Sequence, residues 1–215
     1  MDSADLWSER AAAYAVSGPH ASGPDLDRIV AWAAGARTAL DVATGGGHVA
    51  RRLREAGLQV VTCDAAAGMQ PDVICPAELL PFADRSFDVV TCRFALHHFT
   101  DVRAAVREMA RVAADRVAVA DMLHMGDAVE EAEKVRDPSH VRTYSAEELR
   151  EIVAEAGLGP AEVVFCQREL DLDDWLSRVG CAGDDARRVT ELLGDRVRDG
   201  RFTMDGVVLL ARVGF

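Results

Sequence analysis

The stretch Thr38-Ala-Leu-Asp-Val-Ala-Thr-Gly-Gly-Gly-His48 sets three glycines between a short apolar run and a helical pattern. Without a Cβ, glycine accepts dihedrals that other residues avoid and lets backbone approach a ligand closely. His48 to Ala56 repeats its apolar positions at helical spacing, so a helix N-terminus, with its free amides and positive dipole end, faces the same turn. A second apolar run, Val60-Val-Thr-Cys-Asp64, ends in an acid placed to accept hydrogen bonds from ribose hydroxyls. The chemistry predicted is the binding of a nucleoside cofactor at the opening of a parallel sheet. Gly45, Gly46 and Gly47 do not follow the G-x-G-x-x-G spacing, which counts against a dinucleotide with a pyrophosphate to cradle.

The elements that must position this turn alternate along the chain. Helices are predicted at Ala4–Val16 and Asp25–Ala34, separated by the breakers Pro19 and Pro24. Strands follow at Ala39–Val42, Gln59–Cys63, Pro71–Cys75, Phe87–Cys92 and Val117–Asp121, with helices at Asp101–Ala113 and Ser145–Ala156. Ser145-x-x-Glu148 is a capping box, and Gly157 suits a helix stop. Pro160–Arg168 and Gly206–Val213 read as a closing antiparallel pair. The alternation predicts one doubly wound α/β domain, with ligands beyond the strand carboxyl ends. Its expected division is an N-terminal helical cap over 1–36 and a sheet core over 37–215.

Ala77-Glu-Leu-Leu-Pro-Phe, Ser86-Phe-Asp-Val-Val and Ala95-Leu-His-His-Phe99 follow the glycine turn in order. With them the chain resembles the class I S-adenosylmethionine-dependent methyltransferases, most closely the branch of the ubiquinone and menaquinone C-methyltransferases. Arg136-Asp-Pro-Ser-His-Val-Arg142 and Leu172-Asp-Asp-Trp-Leu176 match a subgroup of that branch. The resemblance implies a Rossmann-like, mostly parallel sheet with one antiparallel strand. It also implies S-adenosyl-L-methionine as cofactor and methyl transfer to a carbon, oxygen or nitrogen of a small molecule. By the same resemblance Asp41, Ala43, Gly45 and Gly47 would face the methionine end, with Asp41 acting on the ammonium. Asp64 would take the ribose hydroxyls, and backbone near Glu78 and Leu79 the adenine rim. Met69 would pack on the adenine or plug the sheet edge. Arg93 would lie near the carboxylate or sulfonium side.

The chain departs from the family pattern in three places. Only Ala65 to Pro71, seven residues, join Asp64 to the next strand, where a parallel crossover normally needs a dozen or more and a helix. The sheet is therefore expected to be shortened between its second and third strands, with a mobile loop on the adenine edge. Pro76 stands where relatives carry an aspartate, and Ala113-Ala-Asp-Arg116 replaces a Pro-Gly-Gly turn. These features favour a rival expectation: a methyltransferase fold with weak or lost cofactor binding, serving another reaction or acting as a partner subunit.

Methyl transfer from a sulfonium needs positioning more than covalent help, but a hydroxyl or acidic carbon acceptor benefits from a base. His97 and His98 follow the fourth strand, and Asp121 ends the fifth, its neighbour in this fold. A His–Asp pair over the site mouth is therefore expected, with His97 as the first candidate base and His98 the second. The bland alternative is a histidine bonding backbone at a helix start. His140 and Arg142, with Asp137, form a further set on a lid-like segment at 135–144.

Composition restricts the partners. The net charge of -12 disfavours an electrostatic grip on nucleic acid. No apolar run approaches the roughly twenty residues of a membrane span, and the acidic start lacks signal-peptide regions, so a cytoplasmic monomer or homodimer is expected. The five cysteines stand singly with no C-x-x-C spacing, and His97-His98 diverge as neighbours, so no metal site is expected.

Overall fold

A computed structural model describes residues 3–214. Eight strands form one sheet: β1 (Thr38–Val42), β2 (Gln59–Asp64), β3 (Val73–Ile74), β4 (Phe87–Arg93), β5 (Ala113–Met122), β6 (Glu162–Asp171), β7 (Val197–Arg198) and β8 (Arg201–Arg212). Their order is β3-β2-β1-β4-β5-β8-β6, with β7 pairing β8. The first five are parallel neighbours, Leu40 lying opposite Val61 on one side and Val90 on the other. β8 is the reversed strand, antiparallel to both β5 and β6. This is the doubly wound sheet with one antiparallel member that the sequence predicts.

The two-residue alternation of a strand divides β1 between two cores. Leu40 and Val42 face Val106 and Met109 of α5 (Val102–Val112) and Leu149 and Ile152 of α7 (Ala146–Glu155). Ala39 faces the other side, against Leu26 and Ile29 of α3 (Pro24–Trp32) and Val49 and Leu53 of α4 (His48–Glu55). These side chains are buried, so truncating one such leucine to alanine costs about 2–5 kcal/mol. The predicted capping box closes: Ser145 Oγ accepts from the Glu148 amide at 3.2 Å, and Glu148 Oε2 accepts from the Ser145 amide at 2.8 Å.

Differences from the sequence reading lie outside this centre. The breaker segment holds a one-turn helix, α2 (Gly18–Ala21), because Pro19 sits in its first turn, where its missing N–H costs nothing. The segment after β5 carries a helix the sequence left unassigned, α6 (Asp127–Arg136). With α8 (Leu172–Ser177) and α9 (Gly183–Leu193) it builds a third apolar cluster around Trp175 and Phe202. β5 starts at Ala113, directly after α5, since no turn residue separates them; a register shift between Phe87 and Val89 absorbs the change.

The edge after Asp64 is the main correction. The crossover is indeed short, reduced to a single 3-10 turn at Ala67–Met69. It is not an uncovered loop, because the N-terminal helix α1 (Ser3–Ala15) lies against it. The Gly68 amide donates to Ser8 Oγ at 3.0 Å, and a Cβ on Gly68 would sit 2.5 Å from the Ser8 carbonyl oxygen. A helix from elsewhere in the chain occupies the place of the missing one.

Candidate active site

At the carboxyl ends of β1, β2 and β4 lies a cavity of about 400 Å³. Of the residues proposed for a cofactor, Asp41, Ala43, Gly45, Asp64, Met69, Glu78 and Arg93 line it, and so does His98. Gly47 does not: at φ +72° it caps α4 in the left-handed region, a structural duty glycine fits. Leu79 also stands apart, with 71% of its surface exposed.

The glycine turn serves two approaches. Gly45 carries φ +52° and presents its amide to Asp64 Oδ2 at 2.9 Å. Gly46 has the Tyr14 carbonyl oxygen 2.5 Å from where its Cβ would stand, so α1 rests directly on the turn. His48 Nε2 donates to the same carbonyl at 2.8 Å. Trp7 and Tyr14 of α1 complete the roof of the cavity. Both lie on the helix predicted at Ala4–Val16, to which the sequence assigns no site role.

Two acids, Asp41 buried and Asp64 half-buried, give the cavity its character. Asp41 accepts from Thr44 Oγ1 at 2.7 Å and Thr91 Oγ1 at 2.9 Å, yet burial pushes its carboxyl up to about 6. A nearby cation would restore its charge. Asp64 is likewise raised by burial, against backbone bonds from Ala66, Gly45 and Ala65. Both carboxylates thus stand desolvated beside open space. Arg93 is less free than expected. Its Nε bonds Asp25 Oδ2 at 2.5 Å and its Nη1 the His20 carbonyl at 2.7 Å, which ties the N-terminal cap to the end of β4.

The expected His–Asp pair forms. His97 Nδ1 and Asp121 Oδ1 are 2.6 Å apart, and Asp121 Oδ2 also accepts the His97 amide at 3.1 Å. Burial alone would lower the His97 pKa, but the Asp121 carboxylate, with Glu133 and Asp137, more than offsets it and raises the value. His97 does not line the large cavity; it lines a second one of about 60 Å³. The two cavities share a wall of Trp7, Tyr14, His20, Phe94 and His98. His98 stands at the junction, its Nδ1 donating to the Ser139 carbonyl at 3.0 Å, which leaves Nε2 as the basic nitrogen. Burial and the neighbouring His97 hold its pKa well below the usual histidine value.

The remaining set divides. His140 is buried and reaches Glu130 through Nε2 at 3.2 Å, its ring 5.5 Å from that of His97. Arg142 pairs with Glu148 on the surface, away from both cavities. Asp137 lines the small cavity; burial opposes ionisation there, but bonds from Ser139 and Arg10 hold it ionised.

Residues 40–120 match the model of a family described as "Methyltransferase domain". The chain is 37% identical over 134 residues to the uncharacterized methyltransferase YcgJ of Bacillus subtilis (strain 168), covering 57% of this chain and 53% of that one. Over 81 residues it is 42% identical to a demethylmenaquinone methyltransferase of Corynebacterium urealyticum, covering 34% of this chain and 35% of the relative. The chain thus spans about half the length of the first relative and about a third of the second. The crystal structure of YcgJ superposes with a TM-score of 0.79 at 25% identity, over 89% of this chain and 98% of that one. Sequence and fold agree over the same strands that build the large cavity: residues 40–120 match a methyltransferase domain, and the described chain has the Rossmann-like fold of its methyltransferase structural neighbours.

Proposed function

We propose that the protein transfers a methyl group from S-adenosylmethionine to a small-molecule acceptor, with the cofactor in the large cavity and the acceptor lying along the shared wall and reaching into the small one. One observation carries this reading: a cavity holding two desolvated acids shares a wall with a second that holds a His–Asp pair. The residues present fit the cofactor. Asp41, half-protonated near pH 6 because of burial and mostly ionised at neutral pH, suits an ammonium group, and Asp64 beside Gly45 suits ribose hydroxyls. Pro76 and Glu78 line the same cavity and would bound the adenine. The cofactor, when bound, supplies an electrophilic methyl group on a sulfonium.

The chain's own residues do the rest. The roof formed by Trp7 and Tyr14 excludes water, and the shared wall at His98 sets the direction of approach. His97 Nε2, opposite the nitrogen that Asp121 holds, takes the proton that an O–H or C–H acceptor loses as its new bond to the methyl carbon forms. The test is calorimetric titration with S-adenosylhomocysteine. Asp64→Ala should weaken binding by about 1–3 kcal/mol, the usual loss for hydrogen bonds to a charged group. If the wild-type protein does not bind the ligand, the rival reading of a methyltransferase fold without its cofactor takes over.

A further inference from the structure

We propose that the acceptor is a small, flat molecule bearing an oxyanionic group, and that this group sits in the small cavity against Arg168 and Arg178. The term acceptor rests on the methyl-transfer reading; the anion site does not.

The chain carries a net charge of -12, yet the small cavity is lined by Arg136, Arg168 and Arg178 against one carboxylate, Asp137. Two of these charges are answered locally. Arg136 pairs with the buried Glu133 at 2.9 Å, and Asp137 pairs with Arg10 at 2.9 Å. Arg168 is not answered in this way. It shares Asp25 with Arg93, each at 2.5 Å, so one carboxylate serves two guanidiniums. Its Nε is buried and has no hydrogen-bond partner. The partner of Arg178, Asp174, keeps 61% of its side chain in solvent while the Arg178 side chain keeps 7%, so water screens the pair on the acid's side.

A surplus cation therefore borders an enclosed space. Uncompensated buried charge is costly, and an anion placed there removes that cost. The guanidinium fork matches carboxylate or phosphate oxygens. At about 60 Å³ the cavity holds such a group but little else, so the remainder of the molecule must extend along the shared wall. That wall is aromatic, and Phe94 is held with the guanidiniums of Arg93 and Arg168 each 4.7 Å from its ring centroid. A flat, unsaturated body suits it. A neutral quinone would leave the surplus charge unanswered.

The experiment titrates benzoate, phenyl phosphate and their uncharged counterpart benzamide into the protein, alone and saturated with S-adenosylhomocysteine. Fluorescence reports the event, since Trp7 and Trp175 both line the small cavity. At least one of the two anions should bind tenfold or more tightly than benzamide, and the better of the two identifies carboxylate or phosphate. Arg178→Gln and Arg168→Gln should each cut that preference to below threefold while benzamide affinity stays unchanged. Equal binding of benzamide and both anions to the wild type overturns the proposal, whatever the variants do. So does an anion preference that survives in both variants. Failure of S-adenosylhomocysteine to bind removes the methyl-transfer reading and leaves the anion result standing.

Discussion

Gly68 and Ser8, sixty residues apart, meet at 3.0 Å between the Gly68 amide and Ser8 Oγ, with no room for a side chain on the glycine. The contact joins the N-terminal helix to the short crossover after Asp64, and with the Tyr14–Gly46 approach it fixes α1 over the large cavity. Gly68→Val should therefore push α1 away while leaving Asp41 and Asp64 in place. Overpacking of this kind costs about 1–3 kcal/mol, so S-adenosylhomocysteine affinity should fall roughly tenfold or more. Amide exchange over Ser3–Ala15 should speed up in the variant. If exchange and affinity are both unchanged, α1 is not a functional roof.

Binding should also depend on pH through Asp41. Its folded-state pKa is raised from 3.8 to about 6, so the free folded protein keeps a proton that the unfolded chain releases between those values. Stability of the free protein should thus decline as pH rises through that window, and the cost is fully present above about 6. A ligand ammonium favours the carboxylate, so binding expels the proton. Affinity for S-adenosylhomocysteine should rise by about tenfold from pH 5 to pH 7. Calorimetry in buffers of different ionisation enthalpy should detect proton release near pH 6. Asp41→Asn should abolish both the release and the pH dependence arising from this group.

Asp25 anchors the N-terminal cap. It is buried and takes bonds from both Arg93 and Arg168. Burial would raise its pKa, but the two guanidiniums more than offset that and leave it below the ordinary carboxylate value. Its stabilising contribution is therefore present above about pH 4 and fades as pH falls through the lower folded-state value. Replacing it by alanine leaves two buried cations without a counter-charge, a loss of about 3–5 kcal/mol. Urea unfolding at neutral pH is the measurement. A loss below about 1 kcal/mol would show the cluster to be solvated.

The sheet and the large cavity were legible because their signals are local. The glycine turn, the acid ending β2 and the period-two runs each specify backbone within a few residues. The roof was not legible: nothing in Ala65 to Pro71 says that Ser8 will cover it, since that contact depends on where two distant segments meet. The same reason hid the pairing of Arg93 with Asp25, which makes a residue lining the large cavity an anchor of the N-terminal cap as well. Gly47 caps α4 and does not line the cavity, a distinction the sequence cannot make because a left-handed helix cap and a ligand-facing turn both select glycine. The helix α6 escaped because its apolar face, Val129 and Ala132, is small and interrupted by the buried Glu133 and Arg136.

The two histidines should separate by role. His97 is fixed by Asp121 at 2.6 Å and lines only the small cavity, whereas His98 is fixed by a backbone carbonyl and borders both. A carboxylate beside imidazole stabilises its charged form, which makes His97 the stronger proton acceptor, and its raised pKa follows from that. His98, held well below the ordinary value, stays neutral and acts by shape and as a weak acceptor. His97→Ala should lower turnover by roughly a hundredfold while leaving S-adenosylhomocysteine affinity nearly unchanged. Asp121→Asn should give a smaller loss with the pH–rate profile shifted to lower pH, because the imidazole loses its counter-charge. His98→Ala should weaken both cofactor and acceptor binding, because it opens the shared wall. The readout is turnover with labelled cofactor on an acceptor found by screening small acids. Full turnover in His97→Ala together with its abolition in His98→Ala would move the proton transfer to the junction. Retained activity in both variants would mean an acceptor already nucleophilic, such as an amine or a thiolate, with the His97–Asp121 pair serving position alone.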